Sequence, residues 1–206
     1  MKKALIINAH QFYEGLSSGG LNQIMVETIT KELQASGYEV EQTEIERGYD
    51  IEAEVRKHIE SDVIILQSPV FWFGMPWIYK KYVDEVFTSA MMQGEFITSD
   101  GRSRENPSLQ YGTGGKLQGK QYMLSLTWNA PREAFDDENQ FLFEGKSVDD
   151  VFISNTATYK FCGADIVPAF SSHDVMKQPD IENDLVRLRE HLKQLSVSHA
   201  LKEHIA

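Results

Sequence analysis

The chain has 206 residues and a formal net charge of −11, which argues against a nucleic-acid partner and against attachment to anionic lipid. With 41 % hydrophobic residues, this length suits one domain over residues 1–206 with a sizeable core. Cys162 is the only cysteine, so no internal disulfide forms, and no apolar run approaches the roughly 20 residues that span a bilayer; we expect a soluble, cytoplasmic protein that is not membrane-embedded.

Short apolar runs alternate with amphipathic segments along the chain. The apolar runs predict strands at residues 4–8, 62–67, 121–127 and 164–169, the first of them buried on both faces. Weak alternation at residues 38–45 predicts an edge-like strand. Apolar residues at helical spacing predict helices at residues 21–33, 50–60, 75–87, 148–161 and 181–195. Strands that alternate with helices indicate an α/β fold. We expect a flavodoxin-like, doubly wound, five-stranded parallel sheet of order 2-1-3-4-5 with helices on both faces.

Two long segments interrupt this alternation, at residues 91–119 and 128–146. The first is rich in Gly, Ser, Asn and charge. Long stretches without regular structure are uncommon inside a compact domain and often carry function. Both segments are therefore expected to border a binding site.

The Ser/Gly loop lies between the first strand and the first helix. It consists of Ser17, Ser18, Gly19, Gly20, Leu21 and Asn22. Unpaired N–H groups and the positive dipole end of the helix would make it an anion site, with hydroxyls and an amide around a phosphate. A simple N-cap with a flexible turn is the alternative. No Gly-x-Gly-x-x-Gly fingerprint and no Walker lysine follow the strand, which weakens dehydrogenase and NTPase interpretations.

The aromatic turn follows the third strand. It comprises Pro69, Val70, Phe71, Trp72, Phe73 and Gly74. Ligands of open α/β sheets bind at the carboxyl ends of the strands, so these residues predict a platform for a flat, partly apolar ligand. Core packing or a subunit contact is the alternative. Because three side chains cannot all point inward from one turn, at least one is expected to face a cleft or a partner.

The β4 exit, after the fourth strand, adds a third loop to the same edge. It consists of Thr127, Trp128, Asn129 and Ala130, followed by Pro131. The backbone N–H groups of Trp128 and Asn129 are expected to be free for a ligand oxygen. An ordinary strand exit is the alternative.

Other reactive side chains give weaker signals. The histidines have no metal-ligand spacing, so a metal site is not predicted and solvated roles are expected for His10, His58, His173, His191, His199 and His204. Cys162 is expected to be a buried structural thiol. The residues alone identify no catalytic acid or base.

Four stretches together resemble the flavodoxin-like NAD(P)H:quinone oxidoreductases, and most closely their bacterial "modulator of drug activity B" group. They are the run Ser-Pro-Val-Phe-Trp-Phe-Gly-Met-Pro-Trp-Ile-Tyr-Lys-Lys-Tyr-Val-Asp-Glu-Val-Phe at 68–87, Ser-Asp-Gly-Arg at 99–102, Tyr-Gly-Thr-Gly-Gly at 111–115 and Leu-Ser-Leu-Thr-Trp-Asn-Ala-Pro at 124–131. The resemblance covers nearly the whole chain. It implies bound FAD, NADPH as electron donor, a quinone as acceptor, ping-pong hydride transfer, and a homodimer with its site at the subunit interface.

The resemblance also implies roles for particular residues. The Ser/Gly loop would hold the pyrophosphate, and residues 70–73 would line the isoalloxazine, with Pro69 also at the cofactor. The β4 exit would contact the polar edge of the isoalloxazine, and Tyr111 would close over the cofactor. One departure concerns the β4 exit: related animal enzymes carry Thr-Thr-Gly-Gly there, with a Tyr and a His that assist charge transfer. Since no equivalent His is evident here, a protein acid–base relay is not expected.

Two other functions share this fold. A one-electron flavodoxin-type carrier has the same acidity but usually lacks extended segments over the site. A non-enzymatic regulatory subunit of a membrane transporter is the second alternative. The long segments at 91–119 and 128–146 favour an enzyme.

Overall fold

The computed structural model describes the backbone of residues 1–203 and the side chains of residues 1–195. The predictions for the side chain of His199 and for His204 lie outside the described residues. One sheet of five parallel strands has the order β2-β1-β3-β4-β5, which confirms the predicted fold class. The strands are β1 (Lys2–Asn8), β2 (Tyr38–Glu44), β3 (Val63–Pro69), β4 (Gln121–Thr127) and β5 (Asp165–Ser172).

Helices cover both faces of the sheet. Within the described residues they are α1 (Gly20–Ala35), α2 (Ile51–Glu60), α3 (Trp77–Met92), α4 (Val148–Val151), α5 (Ile153–Phe161) and α6 (Ile181–Glu203). In β1, Ala4 and Ile6 pack with α1 and α6, whereas Leu5 and Ile7 face the other core, formed with α2, α3 and α5. Because both faces are buried, each fully buried Leu or Ile contributes about 1.5–3 kcal/mol.

Most predicted boundaries shift by a few residues; the predicted helix 75–87, for example, is Trp77–Met92 in the structure, and two further differences lie near the carboxyl edge of the sheet. The predicted helix 148–161 is broken at Phe152, which has φ −98° and ψ 17° and buries its ring against Trp128. Strand β5 extends to Ser172 instead of residue 169. The predicted strand is too short because Ser171 and Ser172 are polar and break the apolar pattern. In the structure both residues are buried, and Ser172 hydrogen-bonds to Asp184.

His58 contradicts the expectation of a solvated histidine. It is fully buried, with Nδ1 2.8 Å from the carbonyl oxygen of Glu54 and Nε2 3.0 Å from the hydroxyl of Tyr159. Burial lowers the pKa of His58 to about 4, because the charged imidazolium would lose its hydration. The expectation for Cys162 is confirmed: the thiol is buried, and burial raises its pKa to about 12.

All strands are parallel, so their carboxyl ends lie at one edge of the sheet. The chain leaves this edge after Asn8, Pro69, Thr127 and Ser172, at the ends of β1, β3, β4 and β5. The loops that follow these strands form the candidate site.

Candidate functional site

A cleft of about 920 Å³ lies at the carboxyl edge of the sheet. It brings together every residue predicted to bind the cofactor except Tyr111. It also includes residues that the sequence interpretation missed: His10, Tyr13, Leu16, Val175, Met176 and Lys177. The volume is at the upper end of what is usual for small-molecule and cofactor sites.

The Ser/Gly loop leaves the first turn of α1 without a side-chain cap. The N-cap is Gly19, at φ 84°, and no side chain caps the helix. Among the described residues no partner accepts from the N–H groups of Gly20, Leu21 or Asn22, whereas the N–H of Gln23 donates to Gly19. An uncapped helix start of this kind favours an anion. No side chain of the loop caps α1, so the alternative of a simple N-cap is not what the structure shows.

His10 packs directly beneath this loop, which contradicts the expectation that it is solvated. Its ring nitrogen Nε2 lies 3.0 Å from Ser17 Oγ, and its Nδ1 lies 3.7 Å from a carboxylate oxygen of Glu46. A Cβ on Gly19 would approach the His10 ring to 2.8 Å. Glycine is thus required at this position both by the left-handed φ and by the close approach of the imidazole.

The side chain of Asn22 serves the fold and not the cleft. Its Nδ2 donates to Asn8 Oδ1 at 2.6 Å, and its Oδ1 accepts from Gln67 Nε2 at 3.0 Å. These buried amides connect α1 to β1 and β3 beneath the Ser/Gly loop. The expectation that this amide wraps a phosphate is wrong for the side chain, which leaves the backbone N–H as the group that Asn22 offers.

The aromatic turn is a two-residue turn closed by reciprocal backbone hydrogen bonds. Phe71 N donates to Gly74 O at 2.9 Å, and Gly74 N donates to Phe71 O at 3.1 Å. Between them, Trp72 and Phe73 have φ of 51° and 63°. Such turns normally hold Asn or Gly, and a left-handed conformation costs about 1–2 kcal/mol for other residues. Strain of this kind is typical of functional sites.

The three aromatic side chains take different positions. Phe71 is half-buried, with its ring edge-on to Tyr13 at 5.5 Å, and Phe73 meets Phe143 at 6.0 Å. The side chain of Trp72 is 95 % exposed. The expectation that at least one aromatic residue points outward is confirmed: Trp72 is almost fully exposed and Phe73 is 52 % exposed.

The β4 exit remains paired with the end of β5 and with the residues that follow it. Trp128 N donates to Ser172 O at 2.8 Å, so the expectation of a free Trp128 N–H is wrong. In return Trp128 O accepts from Val175 N at 3.0 Å. The N–H of Asn129 has no partner within the described part of the chain, so this group alone remains free as expected.

The ring of Trp128 forms part of the cleft wall although it is 2 % exposed. It packs edge-on against Phe135 and Phe152, at 4.9 and 5.4 Å. Its Nε1 is buried and finds no acceptor among the described residues. Because an unsatisfied buried donor costs about 1–3 kcal/mol, this N–H indicates a missing partner such as a ligand acceptor.

Tyr111 lies away from the cleft of its own chain. Its ring is 64 % exposed, packs on Phe161 at 5.3 Å and lies beneath the guanidinium of Arg102 at 5.2 Å. The segment that carries it is anchored near Gly115, where an added Cβ would meet the carbonyl carbon of Cys162 at 2.2 Å. This part of residues 91–119 is thus held firmly against the end of α5.

The described residues contain no group of three or more His, Cys, Asp or Glu side chains arranged to hold a metal ion. Within the same part of the chain, no helix has both the length and the apolar character needed to cross a bilayer. His173 is partly buried, which lowers its pKa, and His191 Nε2 lies 2.9 Å from the carbonyl of Pro168. Neither histidine is simply solvated.

Known proteins resemble this chain over nearly its full length. A family model described as flavodoxin-like fold matches residues 2–195. NADPH:quinone oxidoreductase MdaB of Haemophilus influenzae is 44 % identical over 181 residues, covering 88 % of this chain and 93 % of that protein.

Two solved structures share the fold. A Klebsiella pneumoniae protein proposed to be a quinone reductase superposes with a TM-score of 0.76 at 22 % identity, covering 95 % of this chain and 85 % of the other. General stress protein 14 of Treponema denticola, in complex with FMN, superposes with a TM-score of 0.63 at 20 % identity. The match covers 96 % of this chain and 99 % of the other. At these identities the two structures show the fold alone.

Proposed function

Since this chain belongs to the family of the flavodoxin-like fold, we propose that it is a flavin-dependent NADPH:quinone oxidoreductase. One observation carries the proposal. In a chain 44 % identical to an NADPH:quinone oxidoreductase, a single cleft joins the Ser/Gly loop, the aromatic turn and the β4 exit. These loops combine an anion site, a platform for a flat ring and a hydrogen-bond donor at a polar edge.

The residues of the cleft fit a flavin. The N–H groups of Gly20, Leu21 and Asn22 would hold its phosphate, with hydroxyls from Ser17 and Ser18. A Cβ on Gly20 would meet no protein atom within 4 Å, so space remains beside the helix start. The aromatic turn would hold the ring system, and Trp128 Nε1 is a buried donor in need of an acceptor.

FAD is the flavin that we propose. Its adenosine would extend past the pyrophosphate, where Tyr13 and Leu16 present apolar surface that is 41 % and 69 % exposed. FMN ends at its phosphate and would leave this surface uncovered. This exposed apolar surface, which lines the cleft next to the Ser/Gly loop, supports the larger cofactor.

The reaction moves two electrons. When bound, a flavin would accept hydride from the reduced nicotinamide and pass two electrons and a proton to the quinone. Overall, NADPH, one proton and a quinone give NADP⁺ and a hydroquinone. The protein groups that we assign act by binding and orientation: the aromatic turn holds one ring face, and the Asn129 N–H supports the polar edge.

Nicotinamide and quinone would use the same pocket in turn, which is a ping-pong scheme. Trp72 lines the cleft and is 95 % exposed, so a planar ring can stack there without displacing any packed side chain. A quinone and a nicotinamide are both planar rings of similar width. One exposed aromatic wall therefore suits both.

We further propose a homodimer with the cleft at the subunit interface. Tyr111 lies outside the cleft of its own chain, so it can close over a cofactor only in the cleft of a partner subunit. Phe141 is 94 % exposed in a single chain, and a second subunit would cover it. With a single cysteine and NADPH as donor, the cytoplasm is the proposed compartment.

The cofactor assignment is tested by purifying the protein, releasing the bound flavin and identifying it. We expect FAD, and FMN would contradict this part of the proposal. Stopped-flow reduction by NADPH without quinone, followed by quinone addition, tests the ping-pong order. Flavin reduction is expected in the absence of quinone, and a requirement for both substrates together would rule the scheme out.

A further inference from the structure

The cleft has an unusual charge balance for this acidic chain. The whole chain carries a formal net charge of −11, yet no aspartate or glutamate lines the described cleft. Lys177 is the sole lysine or arginine among the lining residues. A lone cation in such a recess dominates the local potential, because no lining carboxylate offsets it.

The backbone holds Lys177 beside the β4 exit. Residues 173–178, the β5 loop, are hydrogen-bonded to that exit: Asp174 N donates to Ala130 O and Val175 N donates to Trp128 O, both at 3.0 Å. Asp174 is left-handed at φ 51°, and its carbonyl accepts from Lys177 N at 3.3 Å. The turn at residues 174–177 is therefore hydrogen-bonded to the β4 exit, which is proposed to contact the polar edge of the flavin ring.

The ammonium group of Lys177 is not used by the fold. Within the described residues it makes no ion pair and no hydrogen bond, whereas Lys57 and Lys120 bind buried or backbone oxygens. A lysine that stabilised the loop would have such a partner. Lys177 is instead exposed at the cleft and available to a ligand.

The position of Lys177 excludes the anion site of the Ser/Gly loop as its target. That loop follows β1, and Lys177 follows β5, three strand positions away in the sheet. At about 4.8 Å per strand the separation is roughly 14 Å, farther than a lysine side chain reaches. The ligand charge near Lys177 must therefore arise at the ring end of the cleft.

We propose that Lys177 supplies the positive charge that balances the negative charge gained by the flavin ring on reduction. This inference rests on the proposed function. Because the backbone N–H of Trp128 donates to Ser172, the Asn129 N–H is the backbone donor of the β4 exit that remains for the polar edge, and Lys177 adds a positive charge beside it. A positive charge beside the ring binds the reduced state more tightly than the oxidised state.

The test compares the Kd of oxidised and of reduced flavin in the wild type, Lys177→Gln and Lys177→Arg, measured on flavin-free protein. The ratio of the two constants is the readout, so partial flavin loss does not obscure it. Lys177→Gln is expected to reduce the preference for reduced flavin about tenfold, which lowers the two-electron potential by about 30 mV. Lys177→Arg is expected to retain most of the wild-type ratio.

Lys31→Gln is the matched control, since it removes the same charge from an exposed site on α1. Lys31 is eleven residues beyond Gly20, about 16 Å along the helix, and does not line the cleft. The ratio of the Kd values of oxidised and reduced flavin in Lys31→Gln should equal that of the wild type.

An unchanged ratio in Lys177→Gln overturns the inference. If the KM for NADPH then rises while that for NADH does not, the residue binds the 2′-phosphate instead. A wild type that binds no flavin at all would refute the proposed function itself, which is a different result.

Discussion

Phe71 and Gly74 exchange two backbone hydrogen bonds, at 2.9 and 3.1 Å, and thereby hold Trp72 and Phe73 in left-handed conformations. Neither residue is favoured there, and the side chain of Trp72 is almost fully exposed. The fold gains little from that indole. The conformational cost of holding Trp72 in a left-handed conformation is explained if its ring stacks on a ligand.

Trp72 gives a prediction that separates function from stability. Both Trp72→Ala and Trp72→Gly should lose flavin occupancy, since each removes the aromatic wall. Trp72→Gly should be more stable than Trp72→Ala by about 1 kcal/mol, because only glycine relieves the left-handed strain. Urea unfolding of the flavin-free variants measures this difference. Full flavin retention together with unchanged turnover in both variants would remove Trp72 from the site.

The two glycines at the start of α1 should respond differently to alanine. Gly19→Ala forces a Cβ against the His10 ring at 2.8 Å and strains a φ of 84°. We expect a loss of about 1–3 kcal/mol in unfolding free energy together with weaker flavin binding. Gly20→Ala meets no protein atom and should weaken flavin binding alone. Thermal unfolding and flavin titration of both variants check this, and equal loss of stability in both would contradict it.

Tyr111 provides a test of the subunit arrangement. Gly20→Asp places a carboxylate at the anion site, and Tyr111→Ala removes the closing ring; each homodimer should be nearly inactive. Tagged heterodimers that combine one chain of each should regain about half of the wild-type turnover. The reason is that one cleft then has an intact Ser/Gly loop and an intact Tyr111 from its partner. Heterodimers no more active than the two parents would place Tyr111 in its own chain's site.

His58 makes folding stability depend on pH. Its pKa is lowered to about 4 in the folded protein, against about 6.5 when unfolded, so the unfolded chain binds the extra proton. The stability is fully present above pH 6.5 and is lost as pH falls towards 4, by about 3 kcal/mol in total. Denaturant unfolding between pH 7 and 4 should show this loss in the wild type and not in His58→Gln. Parallel pH curves for the two proteins would contradict it.

The sequence predicted the scaffold because its signals are local. Apolar runs such as Val63–Leu66 mark strands buried on both faces, and the loops after them must share one edge. Three of the four loops of the cleft could therefore be predicted from the ends of these strands. The β5 loop, with Lys177, was missed because polar Ser171 and Ser172 concealed the end of β5.

Side-chain roles were less predictable because their partners are distant in the chain. His58 is buried through Tyr159, 101 residues away, and Asn22 is engaged by Gln67, 45 residues away. The backbone N–H of Trp128 donates to the carbonyl oxygen of Ser172 on the neighbouring strand. None of these contacts has a signature in spacing or composition.

Turnover of the purified protein alone tests whether this chain is a two-electron quinone reductase. In a mixture of protein, NADPH and a simple quinone, we expect one NADPH oxidised per hydroquinone formed, with no partner reductase present. We also expect cytochrome c to be reduced much more slowly than the quinone when it is the sole acceptor. Failure to oxidise NADPH without a partner protein, or reduction of cytochrome c as fast as the quinone, would contradict a two-electron quinone reductase.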